Sequence, residues 1–361
     1  MPGWQVPAGG IDVPGLVVDA DVLERNLRAM AGSAARRGLA LRPHVKTHKS
    51  LAVARRQRDL GAVGLSVATV SEAEVFADGG FDDLFIAYPV WAGGDRGARL
   101  ARLARRARLW VGVDCLAAVA ALAAAVGPAA PVSVLVEVDC GLRRSGVPPA
   151  AAGPLAVAAA RAGLAVAGVF TFPGHSYAPG AAAGAAADEA AALTAAAASL
   201  AAAGLPCPVR SGGSTPTAAL TQAGPVTELR PGVYAFNDAQ QVTLGSCGPA
   251  DVALAAAATV VSAGPGRFVL DAGSKVLGPD RPGWAPGHGL LPGFPGWQVS
   301  GLWEHHAVAT MTGGGPPQVG EQVMVIPNHV CTAVNLAGHL DVVRDGRRID
   351  RWPVSARGRN L

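Results

Sequence analysis

Residues 84–113 read LFIAYPVWAGGDRGARLARLARRARLWVGV. An apolar run (84–88) passes through a Pro/Gly segment into an arginine-rich stretch with helical spacing, and a second apolar run (109–113) follows. This strand–helix–strand order recurs along the chain at intervals of roughly 20–30 residues. Strands are expected near LALRPHV (39–45), AVGLSVA (62–68), LFIAY (84–88), LWVGV (109–113), VSVLVEV (132–138), LAVAGVF (164–170), CPVRS (207–211) and PVTELRP (225–231). Eight strands alternating with helices predict a (β/α)8 TIM-like barrel over residues 12–244. Within it, VSEAEVFADGG (70–80) reads as a helix with Ser71 and Glu74 at capping-box spacing and Gly79–Gly80 at its end. The alanine-rich 181–204 reads as a helix by composition.

After residue 245 the pattern changes. VALAAAATVVSAG (252–264), RFVLDAGSK (267–275), GWQVSGLWEHHAVATM (296–311), EQVMVIPNHVCTAVNL (321–336) and HLDVVRDGRRIDRWPVSARG (339–358) read as strands separated by Gly/Pro turns. Residues 245–361, with 1–11, are therefore expected to form a β-rich domain with almost no helix, interrupted by a long Gly/Pro loop (278–298).

Half of the 361 residues are hydrophobic and 16% are charged, enough apolar material for a substantial core. A net charge of +4 and 5% aromatic residues argue against nucleic-acid binding, and the arginine run is expected to be a solvated helix face. No uninterrupted apolar run is long enough to span a membrane, and the N-terminal residues lack the layout of a signal peptide. Five widely spaced cysteines point to reduced thiols in the cytoplasm.

The chain has three lysines against an arginine background, and Lys46 and Lys49 flank His48 in RPHVKTHKS (42–50). Only lysine of the two basic types can lose its proton and attack a carbonyl. In a parallel barrel, chemistry lies at the C-terminal strand ends. Lys46 falls there, as do Arg143 and Arg144 (DCGLRRSG), His175 and Tyr177 (TFPGHSY), SGGSTPT (211–217) and RPGVYAFND (230–238). Backbone N–H groups freed by Gly212 and Gly213, with the hydroxyls of Ser214 and Thr215, suit a phosphate, although a bare Gly-Ser-Thr turn is often only a turn. A carbonyl-reactive lysine and a phosphate cradle on one face together suggest pyridoxal 5′-phosphate. His329 and Cys331 are one residue apart, so an extended strand would direct both side chains to one face, and imidazole with thiolate suits Zn²⁺, with other divalent metals open. Glu304, His305 and His306 could add a ligand, or belong to a sheet surface.

These segments together resemble the fold-type III pyridoxal-phosphate enzymes of the D-serine dehydratase and D-threonine aldolase family. The resemblance runs from PGLVVDADVLERNLRAMA (14–31) through RPHVKTHKS, VEVDCGLRRSGV, GGSTPT and ELRPGVYAFND to IPNHVC and SARG (355–358). It implies an alanine racemase-type barrel, a β-domain and a homodimer acting on a small D-amino acid. Lys46 matches the Schiff-base lysine, Arg144 an arginine close to the cofactor, and His329 and Cys331 the metal ligands. Tyr177 resembles a tyrosine near the pyridine ring. Arg230 and Gly232 match the segment that places an arginine on the pyridine nitrogen and an amide on the phosphate, with Tyr234 following. Tyr177 and Arg230 thus compete for one role. Glu304-His305-His306 departs from the family's Glu-His-Gly. Within the family, aldolases tend to carry aspartate at the place of Cys331 and alanine at that of Thr47, so this chain leans toward elimination of water, as in D-serine dehydratase. Retro-aldol cleavage and racemisation are the alternatives.

Overall fold

The structure, a computed structural model, describes residues 4, 6–127, 132–311 and 313–361. The chain divides into two compact units. One comprises Met30–Lys46, Ala54–Gly232 and Arg359–Leu361; the other comprises Met1–Ala29, Thr47–Val53 and Val233–Gly358. Residues 1–3 and 5, expected in the β-domain, lie outside the described residues.

Strand β1 (Gly15–Asp19) stands apart from the next eight, which form one parallel sheet. These are β2 (Ala40–Leu41), β3 (Leu65–Val67), β4 (Asp83–Pro89), β5 (Arg108–Val113), β6 (Val132–Glu137), β7 (Ala165–Phe170), β8 (Val209–Gly212) and β9 (Glu228–Leu229). Their order is β2-β9-β8-β7-β6-β5-β4-β3. The two edges meet beyond β2, where His44 bridges Ser66 and the Val45 N–H donates to Ser66 O at 2.9 Å. The eight expected strands thus close into a barrel. Pro43 carries no N–H, which accounts for the short regular part of β2.

The helix Val70–Asp78 begins two residues earlier than its capping-box spacing suggested. Thr69 Oγ1 accepts the Glu72 N–H at 3.0 Å, and Glu72 returns a carboxylate to the Ala68 N–H at 2.6 Å. Ser71 and Glu74 are thereby free to receive Arg99 from the helix Gly94–Ala104, with Nη2 2.7 Å from Ser71 Oγ and from Glu74 Oε2. One arginine of the expected solvated face therefore links two helices.

The barrel interior combines an aromatic cluster with a buried polar chain. Phe85, Trp110, Leu135 and Phe170 pack together. Arg42, 1% exposed, donates to Asp83 at 2.6 Å and to Glu228 at 2.8 Å, and lies 4.5 Å from the Trp110 ring centroid. Glu228 accepts from Ser211 Oγ at 2.5 Å, and Ser211 Oγ accepts from Arg230 at 2.6 Å. Arg230 then donates to Thr171 O at 2.6 Å. Residue 64 must be small beside this chain, because a Cβ there would lie 2.8 Å from Asp83 O.

The second unit is built on a nine-stranded sheet, which β1 joins with β10 (Leu254–Gly264), β11 (Arg267–Leu270), β12 (Gly289–Leu290), β13 (Trp297–Leu302), β14 (Ala307–Met311), β15 (Gln322–Pro327), β16 (His339–Arg344) and β17 (Arg347–Pro353). β1 runs antiparallel to β10 and parallel to β16. Residues 15–19, expected with the barrel, thus belong here, as do residues 233–244. An apolar run such as GLVVD suits a buried strand of either sheet, so its composition does not choose between them. Val17, Ala255, Ala257, Met324, Ile326 and Val343 form part of its core. Helix is also more frequent than expected: Ala239–Thr243, Ser274–Leu277 and Val330–Leu336 are helical. The long Gly/Pro loop contains β12 and is anchored by Asn328, whose Nδ2 donates to Gly287 O at 2.7 Å and to Asp280 O at 3.0 Å.

Replacing Arg42 by alanine would leave the Glu228 carboxylate buried without its cation. The expected loss is about 3–5 kcal/mol of stability, read from urea unfolding. A loss near zero would show that the interior does not depend on this pair.

Candidate active site and metal pair

Lys46 lies just past the strand-closing residue His44. It lines a cavity of about 470 Å³ together with His44, Thr69, Tyr88, Asp114 and Arg144. Lys46 Nζ is 5.7 Å and Arg144 Cζ 5.2 Å from the centroid of one ring, that of Phe172. The arginine loop after β6 is braced internally. Val138 bridges Val147, and Asp139 Oδ1 accepts the N–H groups of Gly141 at 2.8 Å and Arg143 at 3.0 Å. Asp114 accepts the Gly146 N–H at 3.3 Å. Arg143 takes a left-handed conformation (φ 58°), which turns the chain immediately before Arg144. At the end of β6, burial pushes the Glu137 carboxyl up, against the pull of Ser145 and Arg144.

After β7, Tyr177 packs 6.2 Å from Phe172, and His175 Nε2 sits 3.2 Å from Asp188. His175 Nδ1 is buried and has no partner among the described residues. A Cβ at Gly141 would lie 3.3 Å from the His175 ring, so this turn allows close approach. In the glycine loop after β8, the Gly213 N–H is held by Glu189 at 2.5 Å and the Ser214 N–H by Thr217 Oγ1 at 3.0 Å. Ser214 Oγ is 2.9 Å from Ser176 Oγ, which joins this loop to the His175 turn. Thr215 is the half-buried hydroxyl of the loop. Arg230 is buried and directed into the barrel, where two of its N–H groups reach Ser211 and Thr171 between the rings of Phe85 and Phe170. Gly232 ends this unit, and Tyr234, 4% exposed, lies in the turn Val233–Ala235 of the other. The lysine amine in a cavity with an arginine suits pyridoxal phosphate, whereas the Gly-Ser-Thr turn departs from the expected cradle in that its Gly213 and Ser214 N–H groups donate to Glu189 and Thr217.

In the second unit, His329 and Cys331 do not share an extended strand as their spacing suggested. β15 stops at Pro327, His329 is the N-cap of the helix Val330–Leu336 (φ −131°), and Cys331 lies in its first turn. The cause is Asp238, fully buried, which takes the Val330 N–H at 3.0 Å and faces His329 Nδ1 at 3.3 Å while capping its own helix through Gln241. Burial pulls the His329 pKa down, but the charge of Cys331 and the Asp238 carboxylate outweigh it and hold the imidazole well above its usual value. Cys331 Sγ is 3.3 Å from Thr47 Oγ1. A carboxylate on Nδ1 leaves Nε2 for a metal, and imidazole with a neighbouring thiol is a donor set that fits zinc. Glu304 and His305 instead meet Lys275, at 2.8 and 3.4 Å, and are exposed with His306. Among the described residues, Asp12, His339 and Asp341 also approach one another. Arg351 bridges both carboxylates, at 3.1 Å from Asp12 and 2.7 Å from Asp341, and makes that cluster an ion-pair network.

Residues 18–240 match the family "Alanine racemase, N-terminal domain", and residues 253–343 match "Putative serine dehydratase domain". The chain is 37% identical to D-threo-3-hydroxyaspartate dehydratase of Delftia sp. (strain HT23), over 95% of this chain and 97% of that one. It is 36% identical to D-threonine aldolase of Arthrobacter sp, over 98% and 94%. The crystal structure of D-threonine aldolase from Filomicrobium marinum matches with a TM-score of 0.89 at 33% identity, covering 100% of both chains. A metal-free form of D-threo-3-hydroxyaspartate dehydratase, with one cysteine replaced by alanine, matches with a TM-score of 0.90 at 32% identity, covering 97% and 99%. A further structure of that enzyme carries alanine for a histidine two positions before the cysteine.

Asp238→Asn keeps the size of the side chain and removes the charge behind His329. Zinc affinity, measured by competition with a chromogenic chelator, is expected to fall about 10–100-fold. An unchanged affinity would mean that Asp238 does not orient the imidazole.

Proposed function

The chain belongs to the fold-type III pyridoxal-phosphate enzymes, the family of D-threonine aldolase and D-threo-3-hydroxyaspartate dehydratase, and we propose that it is a zinc-dependent lyase that removes water from β-hydroxy D-amino acids to give an α-keto acid and ammonia. The observation that carries this reading is the His329–Cys331 pair held by Asp238. A thiolate selects a softer metal than a carboxylate would, and zinc is the fitting choice. In the dehydratase relative, the two replaced residues have the same order and spacing, histidine and then cysteine two positions on, and the cysteine variant is described as metal-free.

Lys46 would carry the cofactor, and loop 213–217 would hold its phosphate. Bound there, pyridoxal phosphate supplies an electron sink for the bond broken at Cα, and zinc supplies a Lewis acid for the β-oxygen. Lys46 Nζ would also serve as the base that takes the α-proton. The guanidinium of Arg144 would supply positive charge in the same cavity. Asp238 fixes the ring of His329 so that the imidazole keeps one nitrogen for the metal. D-serine and D-3-hydroxyaspartate both carry the required β-hydroxyl and α-proton. Retro-aldol cleavage to glycine and an aldehyde is the second reading, favoured by the 36% identity to an aldolase. A cytoplasmic homodimer accompanies the proposal. No helix among the described residues is long and apolar enough to cross a membrane, and the five cysteines are free thiols.

The test is turnover of D-serine, D-threonine and D-3-hydroxyaspartate with separate assays for ammonia, keto acid and glycine. Chelation is expected to stop ammonia release, and zinc to restore it in the parent but not in His329→Ala or Cys331→Ala. Glycine and aldehyde as the main products would establish the second reading, and full activity in a metal-free sample would overturn both.

A further inference from the structure

The glycine loop after β8 is held from behind by a residue that no motif marks. Glu189 projects from the alanine-rich helix Ala182–Ala202 and is fully buried, with 0% of its surface exposed. Its Oε1 accepts the Gly213 N–H at 2.5 Å, and its Oε2 lies 3.4 Å from Thr221 Oγ1, whose single proton is shared between it and Thr217 O at 3.1 Å. One carboxyl therefore spans the loop from residue 213 to residue 221. The contact exists only because residue 212 has no side chain: a Cβ there would fall on the Glu189 carboxyl, 2.8 Å from its Cδ. Gly213 is constrained as well, with φ 84° and no room for a Cβ, which would lie 2.7 Å from Leu229 Cδ2.

A buried carboxyl group is costly unless its partners compensate, so this alanine-rich helix gains nothing from burying Glu189 unless the loop requires it. Burial pushes this carboxyl up to about 7, while the Gly213 N–H, the Arg230 charge and Thr221 pull the other way. Arg230 is the same side chain that ends the polar chain of the barrel interior, so the loop and the interior share one electrostatic neighbourhood.

We propose that Glu189 is a positioning residue for the cofactor phosphate: by fixing the Gly212–Gly213 peptide it sets the shape of the loop 213–217 that receives that group. This inference rests on the pyridoxal-phosphate reading of the barrel mouth. It concerns binding and not turnover, because Glu189 reaches the phosphate only through the loop backbone. A carbonyl oxygen is enough for the task, so glutamine is expected to serve in its place, whereas alanine is not.

The experiment compares equilibrium binding of pyridoxal 5′-phosphate with that of pyridoxal, which lacks the phosphate, to apoprotein of the full chain. The visible absorbance of the lysine-bound form reports both, and circular dichroism reports folding. In Glu189→Ala the affinity for pyridoxal phosphate is expected to fall about tenfold or more, the scale of a buried hydrogen bond left unmade, with pyridoxal affinity nearly unchanged. Gly212→Ala, which drives a methyl group into the carboxyl, is expected to lose the phosphate preference likewise, and Glu189→Gln to retain it. Thr221→Val, the mildest change, is expected to lower the preference about threefold and serves if the others do not fold. A folded Glu189→Ala or Gly212→Ala protein with the parent's preference, an equal loss for both ligands, or an unaltered ratio in Thr221→Val would overturn the role of Glu189. A parent protein that binds neither ligand, or both equally, would instead overturn the cofactor reading.

Discussion

The interior chain Asp83–Arg42–Glu228–Ser211–Arg230–Thr171, buried except at the half-buried Asp83, is the constraint on which the barrel depends. In an interior of low dielectric, an unpaired arginine or carboxylate would cost several kcal/mol, so each member requires the next. The members sit on or just beyond β2, β4, β7, β8 and β9, which ties those strands together by charge as well as by backbone hydrogen bonds. The loops of the candidate site grow from the same residues. Arg42 leads to Lys46, Ser211 opens the glycine loop, and Arg230 opens the Arg-Pro-Gly segment. Holding the interior in register therefore also holds the mouth.

The second unit solves its own problem with one carboxylate. Asp238 caps a short helix, receives the first amide of another and faces His329. Three polar demands meet at a residue with no exposure to water. The imidazole and the thiol are thereby placed at a helix start, where Asp238 and Cys331 favour positive charge on His329 that a bound metal would supply in its place.

All eight barrel strands were legible in the sequence because apolar runs of strand length recur between helical patterns. Residues 15–19 were assigned to the barrel as part of 12–244 without being read as a strand, and GLVVD is equally suited to either sheet. HxC was visible as a pair and misread in geometry. Val330, Ala333 and Val334 are the buried positions, at the i, i+3, i+4 spacing of a helix, and that period was the available signal. The capping box was found two residues late, because both Thr69–Glu72 and Ser71–Glu74 carry the spacing and only the first pair closes on the backbone. Glu189 and the role of Asp238 behind His329 drew no attention because those partners lie far along the chain, and no local pattern records a contact of that range.

We propose Lys46 as the residue that carries the cofactor, and the chain permits a direct test because it has only three lysines. Borohydride reduction of protein incubated with pyridoxal 5′-phosphate, followed by peptide mass mapping, locates the linkage. The reduced pyridoxyl group is expected on Lys46. A label on Lys49 or Lys275, or no label on any of the three, would contradict it.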